Sequence, residues 1–146
     1  MRTKVAIILV GLVALTAGGC KSSTGPSAQS LMGTWHATKA EYVSVANSNT
    51  KVDIIAQGST LTLVLDASTF VLTVTDPGAN PVVSNGTWSK SLDTLTLVPS
   101  TGWFGESQFD MSLNGDQLTL TGGHMPHVFS SGNSEEAILN LILVRQ

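Results

Sequence analysis

An all-β fold is expected: eight antiparallel strands in sequential order, closed into an up-and-down barrel behind an N-terminal signal and tether. Three observations carry this expectation. Thr60-Leu61-Thr62-Leu63-Val64-Leu65 and Thr69-Phe70-Val71-Leu72-Thr73-Val74 both alternate with period two. Folded back about Ala67-Ser68, they set Leu65 opposite Phe70, Leu63 opposite Leu72 and Leu61 opposite Val74, which assembles one apolar side and one Thr-rich side. Asn114-Gly115 is the sharpest hairpin signal in the chain, because a type I′ turn needs positive φ at both positions. Finally, β-compatible runs separated by short turns recur along the chain, and eight such strands in sequence are best satisfied by a barrel, which leaves no edge.

The amino terminus is set apart first. Met1-Arg2-Thr3-Lys4 is a basic start, Val5 to Leu15 is nearly unbroken apolar sequence, and Thr16-Ala17-Gly18-Gly19 leads into Cys20. This is the layout of a cleaved export signal, residues 1–19. The run is shorter than the roughly 20 residues of a spanning helix. Cys20 is the only cysteine, so no internal disulfide is available. A lone cysteine after two small residues at the end of such a signal resembles the lipobox of bacterial lipoproteins, with Ala17 where leucine is usual. The resemblance implies a diacylated Cys20 thiol and an acylated new amino terminus, hence stable membrane anchoring. Lys21 after the cysteine implies an outer-membrane anchor facing the periplasm. Residues 20–30, small and polar with Gly25-Pro26, read as a flexible tether. The barrel domain is then 31–146.

The strands follow in order. The first, near 34–45, alternates untidily (Trp35, Ala37, then Tyr42, Val43, Val45), which a bulge switching faces midway would explain. Residues 52–56 form either a helical turn or a short strand, a candidate cover for the last strand. The second and third, 59–66 and 69–76, are the alternating pair above. Asp76-Pro77-Gly78 turns the chain into 82–90, and a turn at Ser91-Leu92 leads into 93–99, placing Trp88 beside Leu95. Residues 99–105 are a longer connection carrying two exposed-looking aromatics, Trp103 and Phe104. The strands near 106–113 and 116–122 meet about Asn114-Gly115, which sets Met111 opposite Leu118 and Phe109 opposite Leu120. Residues 122–134 read as the longest loop. The last strand, 136–145, is apolar on both faces.

Composition narrows the function. The formal charge is −3, and removal of 1–19 takes away Arg2 and Lys4 without losing an acid. No basic patch interleaved with aromatics exists, which excludes nucleic acid as the expected partner. An outer-membrane barrel needs aromatic girdles, a lipid-facing apolar side and strands of about 9–11 residues. These strands are shorter and their second face is Thr, Ser, Asp and Gln.

Gly33-Thr34-Trp35 at the start of the first strand, eight strands in meander order and Arg145 at the end of the last resemble the lipocalin-like (calycin) pattern. The chain is similar in particular to small bacterial lipocalin-like lipoproteins, whose L-x-G-x-W start, second G-x-W (here Gly86-Thr87-Trp88) and late L-x-L strand followed by Arg are all present. The resemblance implies that Arg145 packs across Trp35 at the closed barrel end as a cation–π pair. The helix that lipocalins carry between their last strands has no counterpart in 122–134.

The candidate pocket lining is Phe70, Leu72, Trp88, Leu95, Phe109, Met111 and Leu120, all expected to point inward. A small hydrophobic ligand would suit such a lining, and a solid core would suit it equally. Trp103 and Phe104 are a candidate lid or contact, or a loop folded over the barrel end. His124 and His127, with His36 elsewhere, lack the converging ligands of a metal centre and read as solvated, so no metal or other cofactor is expected. No Gly-x-Ser-x-Gly elbow exists, and Glu135-Glu136 reads as an acidic cap, so no catalytic residue is assigned. The expected function is non-catalytic binding of a small hydrophobic ligand by a lipid-anchored envelope protein. The alternative is a structural or protein-interaction module with a packed barrel interior.

Overall fold

A computed structural model describes residues 25–129 and 132–146. The export signal expected at 1–19, the lipidation expected at Cys20 and the first part of the expected tether lie outside the described residues. A helical turn, α1 (Ala28–Leu31), precedes β1 (Gly33–Ser44), β2 (Lys51–Asp53), β3 (Thr60–Leu65), β4 (Thr69–Thr75) and β5 (Val82–Ser91). There follow β6 (Thr94–Thr101), β7 (Ser107–Asn114), β8 (Gln117–Val128) and β9 (Ser134–Arg145). All pairings are antiparallel. β1 and β3 to β9 form the eight staves in meander order, and β9 returns to β1 from Trp35↔Arg145 to Ser44↔Ala137, so the barrel is closed.

The register of β3 on β4 follows from their alternation: Leu65↔Phe70, Leu63↔Leu72 and Leu61↔Val74. A slip of one residue would turn all these apolar side chains to water. Each fully buried Leu or Phe stabilises the fold by about 1.5–3 kcal/mol, and Leu61, Leu63, Leu65, Phe70 and Leu72 are all essentially inaccessible.

Two bulges set which residues face inward along the two longest seams. In β1 the register shifts between Ala37 and Lys39, and Thr38 Oγ1 donates to the Ile142 carbonyl. Before that point Trp35 faces in; after it Ala40, Tyr42 and Ser44 do. In β8 the partners pass from Leu120↔Leu141 to Gly123↔Leu139, an extra residue on β8. Leu118 and Leu120 therefore face in below the bulge, and Gly123 and Met125 above it. A residue added to one strand reverses its side-chain parity because the strand period is two.

Four local expectations are corrected. The 122–134 segment is not one long loop: β8 continues to Val128 and β9 begins at Ser134. The glycines that suggested a loop make the bulge instead. Gly122 takes φ +83°, its N–H donates to Asn140 Oδ1, and a Cβ on Gly123 would collide with the Phe109 ring. The β7–β8 turn lies at Gly115-Asp116, with Asn114↔Gln117 paired, Leu113↔Leu118 and Met111↔Leu120. Only Gly115 has positive φ there, so the loop has glycine first, the type II′ pattern, and Asn114 stays in the strand. The β5–β6 turn likewise centres on Leu92-Asp93, with Leu92 at φ +51°, and Trp88 opposes Leu97 rather than Leu95. Finally, 52–56 does not cover β9. β2 continues the sheet beside β1 (Tyr42↔Val52), where β3 no longer reaches, and Ile54 then turns into the core.

The end of the segment read as tether is folded against the barrel. Ser27 caps α1 by accepting from Ser30 N, Leu31 is fully buried, and a side chain on Gly25 would strike the Leu92 carbonyl.

Candidate functional site

The barrel has a base and a mouth, and they differ in kind. At the base, Trp35 is fully buried and its Nε1 donates to the Leu31 carbonyl at 2.8 Å. The Arg145 guanidinium lies 4.2 Å from the Trp35 ring centroid and donates to the carbonyls of Met32 and Ser30. A cation held over an indole is attracted to the ring's negative face, and the two carbonyls fix its plane. Gly33 sits directly beneath at φ +135°, and a Cβ there would come within 2.7 Å of Arg145 Nη1. The Gly-x-Trp pattern thus has a steric cause.

Phe70, Leu72, Trp88, Leu95, Phe109, Met111 and Leu120 all face the interior and are at most 7% exposed. They pack with Leu63, Leu97, Leu118 and Leu143 into the base half of the barrel. Trp88 Nε1 is satisfied by the Asp66 carbonyl at 2.7 Å. None of the seven borders either of the two clefts at the mouth.

At the mouth, two adjoining clefts share Ile54, Asp76, His127 and Val128. The inner one, about 380 Å³, is lined further by Tyr42, Val74, Val82 and Trp103. The outer one, about 570 Å³, extends past Ser59, Phe129 and Lys51. Such volumes suit small molecules. The bulge in β1 brings Tyr42 inward, and the bulge in β8 brings His127 over it. The two rings stack at 4.1 Å with 12° between their planes, and Phe129 meets His127 edge-on at 4.7 Å.

Burial of the Tyr42 hydroxyl, reinforced by the negative charge of Asp76, pushes its pKa from the ordinary 10.0 up to about 12. Burial also lowers His127 below its ordinary value, against a smaller opposing pull from Asp76. The imidazole is therefore neutral at pH 7. Asp76 itself is held from one side: Ser59 Oγ donates to its Oδ1 at 2.7 Å.

Trp103 and Phe104 are not an exposed pair. Phe104 is 8% exposed and its ring lies 6.2 Å from Phe70, while Trp103 is half-buried and borders the inner cleft. The loop is held down by Ser84, whose Oγ accepts from Trp103 N, and Gly102 at φ +136° leaves no room for a Cβ beside it. Of the histidines read as solvated, His124 is exposed and pairs with Glu136 at 2.6 Å, but His127 belongs to the mouth. Among the described residues no three His, Cys, Asp or Glu side chains converge as a metal centre requires. Tyr42, Asp76 and Ile54 are mouth residues the sequence reading did not single out, and His127 was weighed there only as a metal ligand and read as solvated. The signal available for His127 was the spacing of Gly123, Met125 and His127, period two continuing through what read as loop.

Comparison with known proteins agrees with this architecture. The family described as a lipocalin-like domain matches residues 31–120. The match runs from the buried Leu31 to Leu120, where the bulge in β8 begins. No curated protein matches the chain.

Proposed function

The chain belongs to the lipocalin-like domain family, and from that premise we propose that it binds a small hydrophobic molecule, without chemistry, at the open mouth of its barrel. The observation that carries this reading is the asymmetry of the interior. The base is filled by Leu, Phe and Trp side chains, whereas the mouth keeps a cleft of about 380 Å³ walled by Ile54, Val74, Val82 and Trp103. A concave, mostly apolar site with a few polar groups is what a small ligand requires. The Gly102-held loop that carries Trp103 provides one wall.

In this reading the molecule works at a membrane surface. Cleavage after residue 19 and acylation of Cys20 would anchor it in the cell envelope, at the outer membrane and facing the periplasm, with the barrel a few residues from the lipid. This rests on the basic start, the apolar run and the single cysteine.

The test is native mass spectrometry of the purified protein before and after organic extraction. A co-purifying apolar species, or uptake of added apolar molecules by the extracted protein, is the expected result. Its weakening by Trp103→Ser would place the ligand at the mouth. A protein that neither carries nor accepts any such molecule would overturn the reading in favour of a structural or protein-interaction module. That alternative draws on the packed base, but it loses the exposed aromatic loop, since Phe104 is turned inward.

A further inference from the structure

We propose that the mouth selects organic cations: a protonated amine or quaternary ammonium carried on a small apolar or aromatic body. This rests on the reading of the mouth as a small-molecule site and names the chemical class it takes.

The argument begins with charge. Asp76 is the one formally charged side chain among the residues lining the inner cleft, and Lys51 borders only the outer one. With His127 neutral, the inner cleft carries a single uncompensated negative charge. A carboxylate has room for about four hydrogen bonds. The Ser59 hydroxyl takes one position on Oδ1. The remainder of the carboxylate is accessible, since Asp76 is exposed at the rim. An ammonium group there would gain a charge-assisted hydrogen bond.

The aromatic groups around it favour the same class. Trp103 borders the inner cleft, as do the Tyr42 and His127 rings, which stack on each other and leave Tyr42 buried. The indole face attracts cations as well as flat apolar bodies. A fatty acid, by contrast, would bring its carboxylate against Asp76 with no lysine or arginine in the inner cleft to receive it. Like charges at such range disfavour binding. The site therefore discriminates by sign of charge and not by apolar area alone.

Isothermal titration of the full-length protein in nonionic detergent, with three probes sharing one ring system, separates the possibilities. The probes are naphthylethylamine, naphthylethanol and naphthylacetate. The amine is expected to bind about ten-fold more tightly than the alcohol, and the acetate more weakly than both. The advantage of the amine should shrink with added salt, because a rim charge is screened. Asp76→Asn keeps an oxygen to accept from Ser59 and should remove most of the amine's advantage over the alcohol, leaving only the part owed to the Trp103 face. Equal binding of all three probes, tightest binding of the acetate, or an amine preference undiminished by Asp76→Asn would each overturn cation selection while leaving small-molecule binding at the mouth intact. Binding of none would overturn both readings together.

Discussion

Arg145 illustrates how much one side chain can do at the base of this barrel. It covers the Trp35 ring, donates to two carbonyls of the entering chain and lies over a glycine that cannot be anything larger. Replacing it by Met keeps the apolar stem but leaves the carbonyls of Ser30 and Met32 without their donors. Arg145→Met is expected to destabilise the protein by about 2–4 kcal/mol, read by urea unfolding. Arg145→Lys should recover only part, since an ammonium lacks the planar fork that reaches both carbonyls. At the mouth the corresponding residue is Tyr42, the only tyrosine in the chain. Its ionisation can be followed alone by absorbance near the tyrosinate band. The midpoint should lie near 12 instead of 10.0, as burial and Asp76 both oppose the phenolate. The sign for stability follows. The folded state holds the proton more tightly than the unfolded chain, so this contribution is complete below pH 10 and is lost as pH rises through 12. Asp76→Asn should move the midpoint down, though not to 10.0, because burial is the larger cause.

Among the elements, β8 is the one that makes the mouth. Gly122 supplies the left-handed conformation of the bulge, while Gly123 supplies space for Phe109, and these are separable costs. Gly122→Ala should lose about 1 kcal/mol through backbone strain alone, there being nothing within 4 Å for a Cβ to meet. Gly123→Ala forces a methyl into a fully buried ring and should cost about 1–3 kcal/mol. Combined with Phe109→Leu it should cost less than the sum of the two single changes, which a double-mutant cycle in denaturant would detect. The same element shows where sequence reading reached its limit. Strands whose period is unbroken, such as β3 and β4, were legible to the residue, because one face must be buried and the register is then unique. Trp35 and Arg145 could be recognised as a pair from their short motifs. The bulge in β1 was legible as a break in the alternation between Ala37 and Tyr42, but the one in β8 falls on Gly122-Gly123, which is as good a loop signal as a bulge signal. His127 was therefore hidden by the glycines that position it. The turn at Gly115-Asp116 was displaced by one residue because pairing across the whole hairpin outweighs the local preference of Asn-Gly, and the turn at Leu92-Asp93 lies one residue later as well.

For the molecule as a whole, the division into a packed base and an open mouth implies that stability and binding are carried by different residues. Phe109 belongs to the first group, since it is fully buried and borders neither mouth cleft. Phe109→Ala removes a large ring from a region with no free volume to collapse into, and should cost about 3–5 kcal/mol. The fraction that remains folded keeps an unaltered mouth, so ligand occupancy per folded molecule should hardly change. Trp103 belongs to the second group: it is half-buried, it forms a wall of the inner cleft, and its loop is anchored through its backbone to Ser84. Trp103→Ser should therefore cost only about 1–2 kcal/mol in unfolding while removing most of the co-purifying or added ligand seen by native mass spectrometry. The two variants should thus rank in opposite order in the two measurements. If Phe109→Ala lost ligand as fully as Trp103→Ser did, the base would be part of the binding volume and the barrel would not be divided as the positions of its clefts imply. A base this tightly filled leaves the mouth free to vary, since the closing pair and the eight-stave pairing do not depend on which side chains surround Asp76.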